Sequence, residues 1–162
     1  MSLFQHKKQV EQLRKEAQAK RSYKQYESMD LLNLVKQLPI IDFSKELWTY
    51  TGPEKLPNGA MTIGYYNYDQ SINDYFSYMY KLNLIDQNYL DNNNAIKNTP
   101  DKYNENKEQY IYDNLTIEEL LTVMTFRNRG ERFFDGSIAM SIKHGEFKEI
   151  YDRIRAFGLK IN

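Results

Sequence analysis

Apolar positions recur with helical spacing most clearly between Thr116 and Phe157. Thr116 and Glu119 fit a capping box, in which each side chain takes the other residue's backbone N–H. Leu120, Val123, Met124 and Phe126 follow, mostly on one face. Arg127 and Arg129 fall in the last turn, where cations suit the negative helix end. Gly130 is read as a left-handed stop. After a connector from Glu131 to Gly136, Asp135 or Ser137 can cap a short helix carrying Ile138 and Ile142, ended by His144-Gly145. Phe147, Ile150, Tyr151, Ile154 and Phe157 then make a full amphipathic stripe that stops at Gly158. None of these helices is long enough to stand alone in water, so they must pack on each other.

The pattern upstream is more mixed. Residues 1–28 are rich in helix formers, with only a thin stripe at Val10, Leu13 and Ala17, and read as a helical arm. A short amphipathic helix is predicted from Asp30 to Leu38, stopped by Pro39. Ser44 can start a further helical turn or two through Tyr50. Gly52-Pro53, Pro57 and Asn58-Gly59 are turn residues. Met61 to Tyr68 alternates as a strand, with Met61, Ile63 and Tyr65 on one side and Thr62, Gly64 and Tyr66 on the other. Its prolines make the preceding stretch a poor partner, so at most a small sheet is expected. A helix is predicted from Ser71 to about Leu84, then a short helical turn around Tyr89 and Leu90, and a polar stretch at 91–109 that reads as a mobile loop or a segment ordered only on a partner. The expectation is a mainly α fold with a minor β element near 61–68. Residues 29–162 form one domain, preceded by the arm.

The block Arg129-Gly130-Glu131-Arg132-Phe133, followed by Asp135-Gly136 and a short helix to Gly145, resembles the signature of a bacterial domain-of-unknown-function family, number 6508. The run from Leu115 to Leu121, Leu-Thr-Ile-Glu-Glu-Leu-Leu, is similar to that family as well. The resemblance covers about the last 45 residues and implies no activity.

Composition narrows the function classes. Formal net charge is zero, so no global basic field points to nucleic acid. The first 28 residues nevertheless carry +4 and the remainder −4. There is no cysteine, which removes disulfides, thiolate nucleophiles and zinc–thiolate sites. A mean hydropathy of −0.77 is polar, and an aromatic share of 14% is expected to fill much of the core. No apolar run reaches membrane-spanning length and no signal peptide is recognisable, so a cytoplasmic protein is expected. Heavy use of Asn, Lys, Ile and Tyr fits an AT-rich bacterial genome, phage or plasmid.

Three groups of residues are candidates for chemistry. Arg127, Arg129 and Arg132, with Glu131 and Asp135, could grip a phosphate or carboxylate at a helix start. The competing reading has the same charges capping helices and pairing with each other. Tyr65, Tyr66, Tyr68 and Tyr78 belong to a tyrosine-rich segment suited to a protein interface, or to plain core packing. Lys7, Lys8, Arg14 and Arg21 give the arm its basic face. His6 and His144 are isolated, so no metal site is expected, and Glu118 and Glu119 read as solvated carboxylates. No nucleotide, nucleophile-elbow or dinucleotide motif is present, and no cofactor is expected. The favoured reading is a non-enzymatic protein-binding module, such as an anti-CRISPR-like inhibitor of a host nuclease or defence complex. The alternative is a nucleic-acid-binding regulator using the C-terminal helices and the basic arm.

Overall fold

The computed structural model describes residues 2–19 and 28–160, with side chains from 2–12 and 29–160. Helix α1 spans Leu3–Ala19 and α2 spans Ser28–Val35. Strands β1 (Trp48–Thr51) and β2 (Tyr65–Tyr68) form an antiparallel hairpin. Helices α3 (Gln70–Lys81) and α4 (Tyr89–Lys97) lead to a second small hairpin, β3 (Tyr103–Asn104) with β4 (Gln109–Tyr110). Helices α5 (Ile117–Gly130), α6 (Ser137–Lys143) and α7 (Glu146–Gly158) complete the described chain. The fold is mainly α with a minor β element, as the periodicity predicts.

Helix α5 is the axis of the core. It packs against α4, α6 and α7, so Leu121 to Thr125 are buried all round. Its capping box forms as predicted: Thr116 Oγ1 accepts the Glu119 N–H at 3.2 Å, and Glu119 Oε1 accepts the Thr116 N–H at 3.1 Å. The buried hydroxyls of Thr122 and Thr125 donate back to the carbonyls of Glu118 and Leu121, which avoids an unsatisfied polar group. Glu119 departs from expectation. It is 1% exposed, and Lys102 Nζ reaches both its oxygens at 2.8 and 2.9 Å. Its carboxylate is held in the interior because it satisfies a helix end and a cation together.

The amphipathic stripe of α7 is buried as predicted at Phe147, Ile150, Tyr151 and Ile154. Tyr75 and Phe76 of α3 close on it, with ring centroids of Tyr75 and Tyr151 at 5.5 Å. The Tyr151 hydroxyl accepts the Ile41 N–H at 2.9 Å, which fixes the segment after α2. Gly158 brings α7 against α2: a Cβ there would lie 3.2 Å from the Lys36 backbone. Helix α1 runs beside α4, and from Ser2 to Gln12 only Val10 is half-buried.

Several local expectations are corrected. The chain from Trp48 to Thr51 is a strand rather than a helical turn, because its rings pair across the hairpin, Tyr50 with Tyr66 at 4.8 Å and Trp48 with Tyr66 at 5.7 Å. Ahead of it, Asp42 Oδ1 takes both the N–H and the hydroxyl of Ser44 in a tight turn. Strand pairing in β2 starts at Tyr65, with only a single bridge between Lys55 and Met61 upstream. The predicted alternation still holds from Met61 to Tyr68 in burial. The expected polar loop at 91–109 is instead the rest of α4 followed by the β3–β4 hairpin. Asn92 and Asn93 are buried there with distant partners: the Asn92 amide nitrogen donates to Asp86 at 2.8 Å, although its oxygen is buried without a partner, and Asn93 accepts from the Tyr110 hydroxyl at 2.6 Å. Gly130 does not adopt a left-handed conformation, whereas Gly136 and Gly145 do, at φ 90° and 80°.

Burial raises the phenols of Tyr75 and Tyr110 above the ordinary tyrosine value, and the nearby Tyr151 adds to the effect on Tyr75. A phenol raised on folding stabilises the fold fully below its unfolded value near 10, and that contribution is lost as pH climbs toward the folded value. Urea unfolding should therefore show stability falling above about pH 10, by about 1.4 kcal/mol per pH unit for each such phenol. Stability unchanged well into this alkaline range would contradict the burial of these hydroxyls.

Candidate functional site

The connector between α5 and α6 joins the hairpin to the helices through one carboxylate. Glu131 Oε1 accepts the Gly136 N–H at 2.9 Å and the Tyr68 hydroxyl at 2.5 Å. Glu131 Oε2 accepts the Ile138 N–H at 2.9 Å. The Tyr68 oxygen in turn accepts the Ala139 N–H at 3.1 Å. Three amides at the start of α6 are thus satisfied, two by a carboxylate five and seven residues upstream and one by a phenol from β2. Neither Asp135 nor Ser137 caps α6; its N-cap is Gly136, which has no side chain to offer. Burial and the Glu131 hydrogen bond hold the Tyr68 phenol above its ordinary value, so it stays a donor.

Two glycines make this approach possible. A Cβ on Gly136 would sit 2.5 Å from the Tyr66 ring, so Tyr66 rests on bare backbone. A Cβ on Gly130 would lie 3.0 Å from Ser137 Oγ.

The three arginines do not converge. Arg127 is engaged by Glu146, with Nη2 3.0 Å from Oε2 and Nε on Oε1. Arg129 lies over the Tyr80 ring at 5.4 Å, and its buried Nε has no hydrogen-bond partner. Arg132 is exposed. The positive helix start that invites an anion is already filled by Glu131.

The tyrosines divide by face. Tyr66 and Tyr68 turn inward onto the connector, while Tyr65 points outward with Met61 and Ile63. Ile63 is 88% exposed. Tyr78 is exposed on α3, with Lys81 Nζ 5.2 Å from its ring centre. Lys7 and Lys8 are exposed on α1, and Lys8 lies over Phe4 at 5.0 Å. Arg21 and the side chain of Arg14 lie outside the described residues. On α7, Lys148 pairs with Asp152, and Arg153 pairs with Glu149 and Asp113. Two of that helix's three cations are therefore paired, and Arg155 stays exposed. No group of three potential metal-ligating side chains occurs among the described residues. No helix among the described residues is long and apolar enough to cross a membrane.

Sequence reasoning passed over Phe133 and Phe134, both strongly exposed just before Gly136. The available signal was two adjacent large apolar residues in a connector, outside any amphipathic stripe.

Gly136→Ala is expected to lower stability by about 3 kcal/mol, since it adds a clash with Tyr66 to left-handed strain. Gly145→Ala has the same strain and open space, so it should cost about 1 kcal/mol. Equal losses in urea unfolding would show that Tyr66 does not bear on Gly136.

No curated protein and no solved structure matches this chain. A family model does match, over residues 26–158, which extends the resemblance far upstream of the connector and leaves most of the basic arm outside it. The chain belongs to DUF6508, a family of unknown function.

Proposed function

We propose that this protein is a non-catalytic binding module that docks another protein through the outer face of its first hairpin. The observation behind this reading is the outward row Met61, Ile63 and Tyr65, three large exposed apolar side chains on the segment that leads into β2, whose opposite face is anchored at Tyr68. A side chain held on a fixed backbone loses less freedom on binding than one on a mobile loop, so such a row suits an interface core. Glu54 and Lys55 are the only charged residues between Trp48 and Tyr68. The matching partner surface is an apolar groove rather than a phosphate backbone. Steric block of a host nuclease or defence complex is a task such a module can perform with no chemistry of its own.

The pairing of Lys148 and Arg153 disfavours the nucleic-acid alternative, which would rest on Lys7 and Lys8 of α1 with Arg155 of α7. The two readings differ in salt dependence, weak for an apolar contact and steep for phosphate contacts.

The test compares the full chain and its Ile63→Asp/Tyr65→Ala variant as baits in lysate of the native host. A protein retained at about 0.5 M salt by the wild type, and reduced at least tenfold on the variant, is the expected result. Equal recovery by both baits, or no protein retained by the wild type, would overturn the proposal.

A further inference from the structure

Strand β1 has one bare edge. It pairs with β2 alone, in a sheet of two strands. Just ahead of it the Asp69 N–H donates to the Leu47 carbonyl at 2.8 Å, which fixes the phase of the antiparallel ladder. By alternation Thr49 and Thr51 direct their backbone groups to β2, and the N–H and C=O of Trp48 and Tyr50 turn the other way. Among the described residues no backbone group bonds to them there. Proteins commonly blunt such an edge with a charge, a proline or a bulge. Residues 48–51 contain no charge and no proline, and their register with β2 runs through four pairs without a bulge.

The space beside this edge is open. A groove of about 670 Å³ follows the chain from Lys45 to Tyr50, and Ile142, Gly145 and Lys148 of the α6–α7 corner line it as well. No atom lies within 4 Å of where a Gly145 Cβ would be. Paired strands run about 4.8 Å apart, so a chain that satisfies the edge lies extended in this groove. The charged residues of the lining are Lys45, Lys148 and Glu46, two cations to one carboxylate. Lys45 has Asp69 at 3.5 Å and Lys148 has Asp152, but both lysines are more than half exposed. Exposed pairs contribute little, so an arriving carboxylate can compete for either lysine.

We infer that β1 accepts an extended, acidic segment of another protein as an added strand. Its backbone takes the N–H and C=O groups of Trp48 and Tyr50. Apolar side chains at alternate positions lie toward Trp48 and Ile142, and carboxylates at its ends meet Lys45 and Lys148. The addition also supplies a third strand to a sheet that is too small to be stable by itself.

The edge is separate from the outward row, and the Ile63→Asp/Tyr65→Ala variant should retain it. The test titrates the full chain with acetyl-Glu-Val-Thr-Val-Glu-amide. It follows the emission of Trp48, the only tryptophan, and the amide resonances of Trp48 and Tyr50. Both should respond saturably, with a Kd of about 1 mM. The same peptide N-methylated at its three central residues loses its donors to the edge and should bind at least tenfold more weakly. Acetyl-Lys-Val-Thr-Val-Lys-amide keeps the backbone and should bind about threefold more weakly. Tyr50→Pro removes an outward N–H and none that faces β2, a change strand edges tolerate. It should bind at least fivefold more weakly than Tyr50→Ala, which loses the same ring. If Tyr50→Pro does not fold, the N-methylated peptide decides. No saturable response to the acidic peptide, equal binding of its N-methylated form, equal binding of the basic peptide, or folded Tyr50→Pro binding as well as Tyr50→Ala would each overturn the inference.

Discussion

Glu131 links three parts of the chain. Its own backbone lies just past the end of α5, its oxygens take two amides at the start of α6, and one of them also holds the Tyr68 hydroxyl of β2. Hydrogen bonds to a charged group contribute about 1.5–3 kcal/mol each, so this cluster rivals the burial of a large apolar side chain. The dependence is strong because neither neighbour is self-sufficient. Helix α6 has seven residues and no side-chain cap of its own. The hairpin has four residues in each strand, too few for independent stability.

That anchoring gives the hairpin two unlike faces. Tyr66 and Tyr68 face inward, onto Gly136 and Glu131, and Tyr66 also packs against Trp48 and Tyr50. Because side chains alternate along a strand, committing that face to the body turns Met61, Ile63 and Tyr65 to solvent. The same geometry fills the start of α6, the helix start beside the connector arginines. The connector is thereby closed to an anion, while the hairpin row proposed as the docking face stays open to solvent.

What could be read from the sequence was local and periodic. The capping box at Thr116 and Glu119, the stripe of α7 and the alternation from Met61 to Tyr68 each need only a few adjacent residues. The errors share a different cause, polar side chains whose partners are distant in sequence. Glu119 reads as solvated because its partner Lys102 lies 17 positions upstream, in the turn before β3. Asn92 and Asn93 looked like loop residues because Asp86 and Tyr110 were not visible as partners. Glu131 was read beside its arginine neighbours, whereas its phenol partner is 63 positions away. Even the strand from Trp48 to Thr51 needed the rings of β2 to declare itself.

Native-state hydrogen exchange on Glu131→Gln tests this account most directly. If the carboxylate joins hairpin to helix, the amides of Gly136, Ile138 and Ala139 and those of residues 65–68 should all exchange at least tenfold faster, while those in the middle of α5 and α7 hold. Faster exchange confined to the start of α6, with the strand amides as protected as before, would mean that the hairpin is held by its tyrosine packing alone.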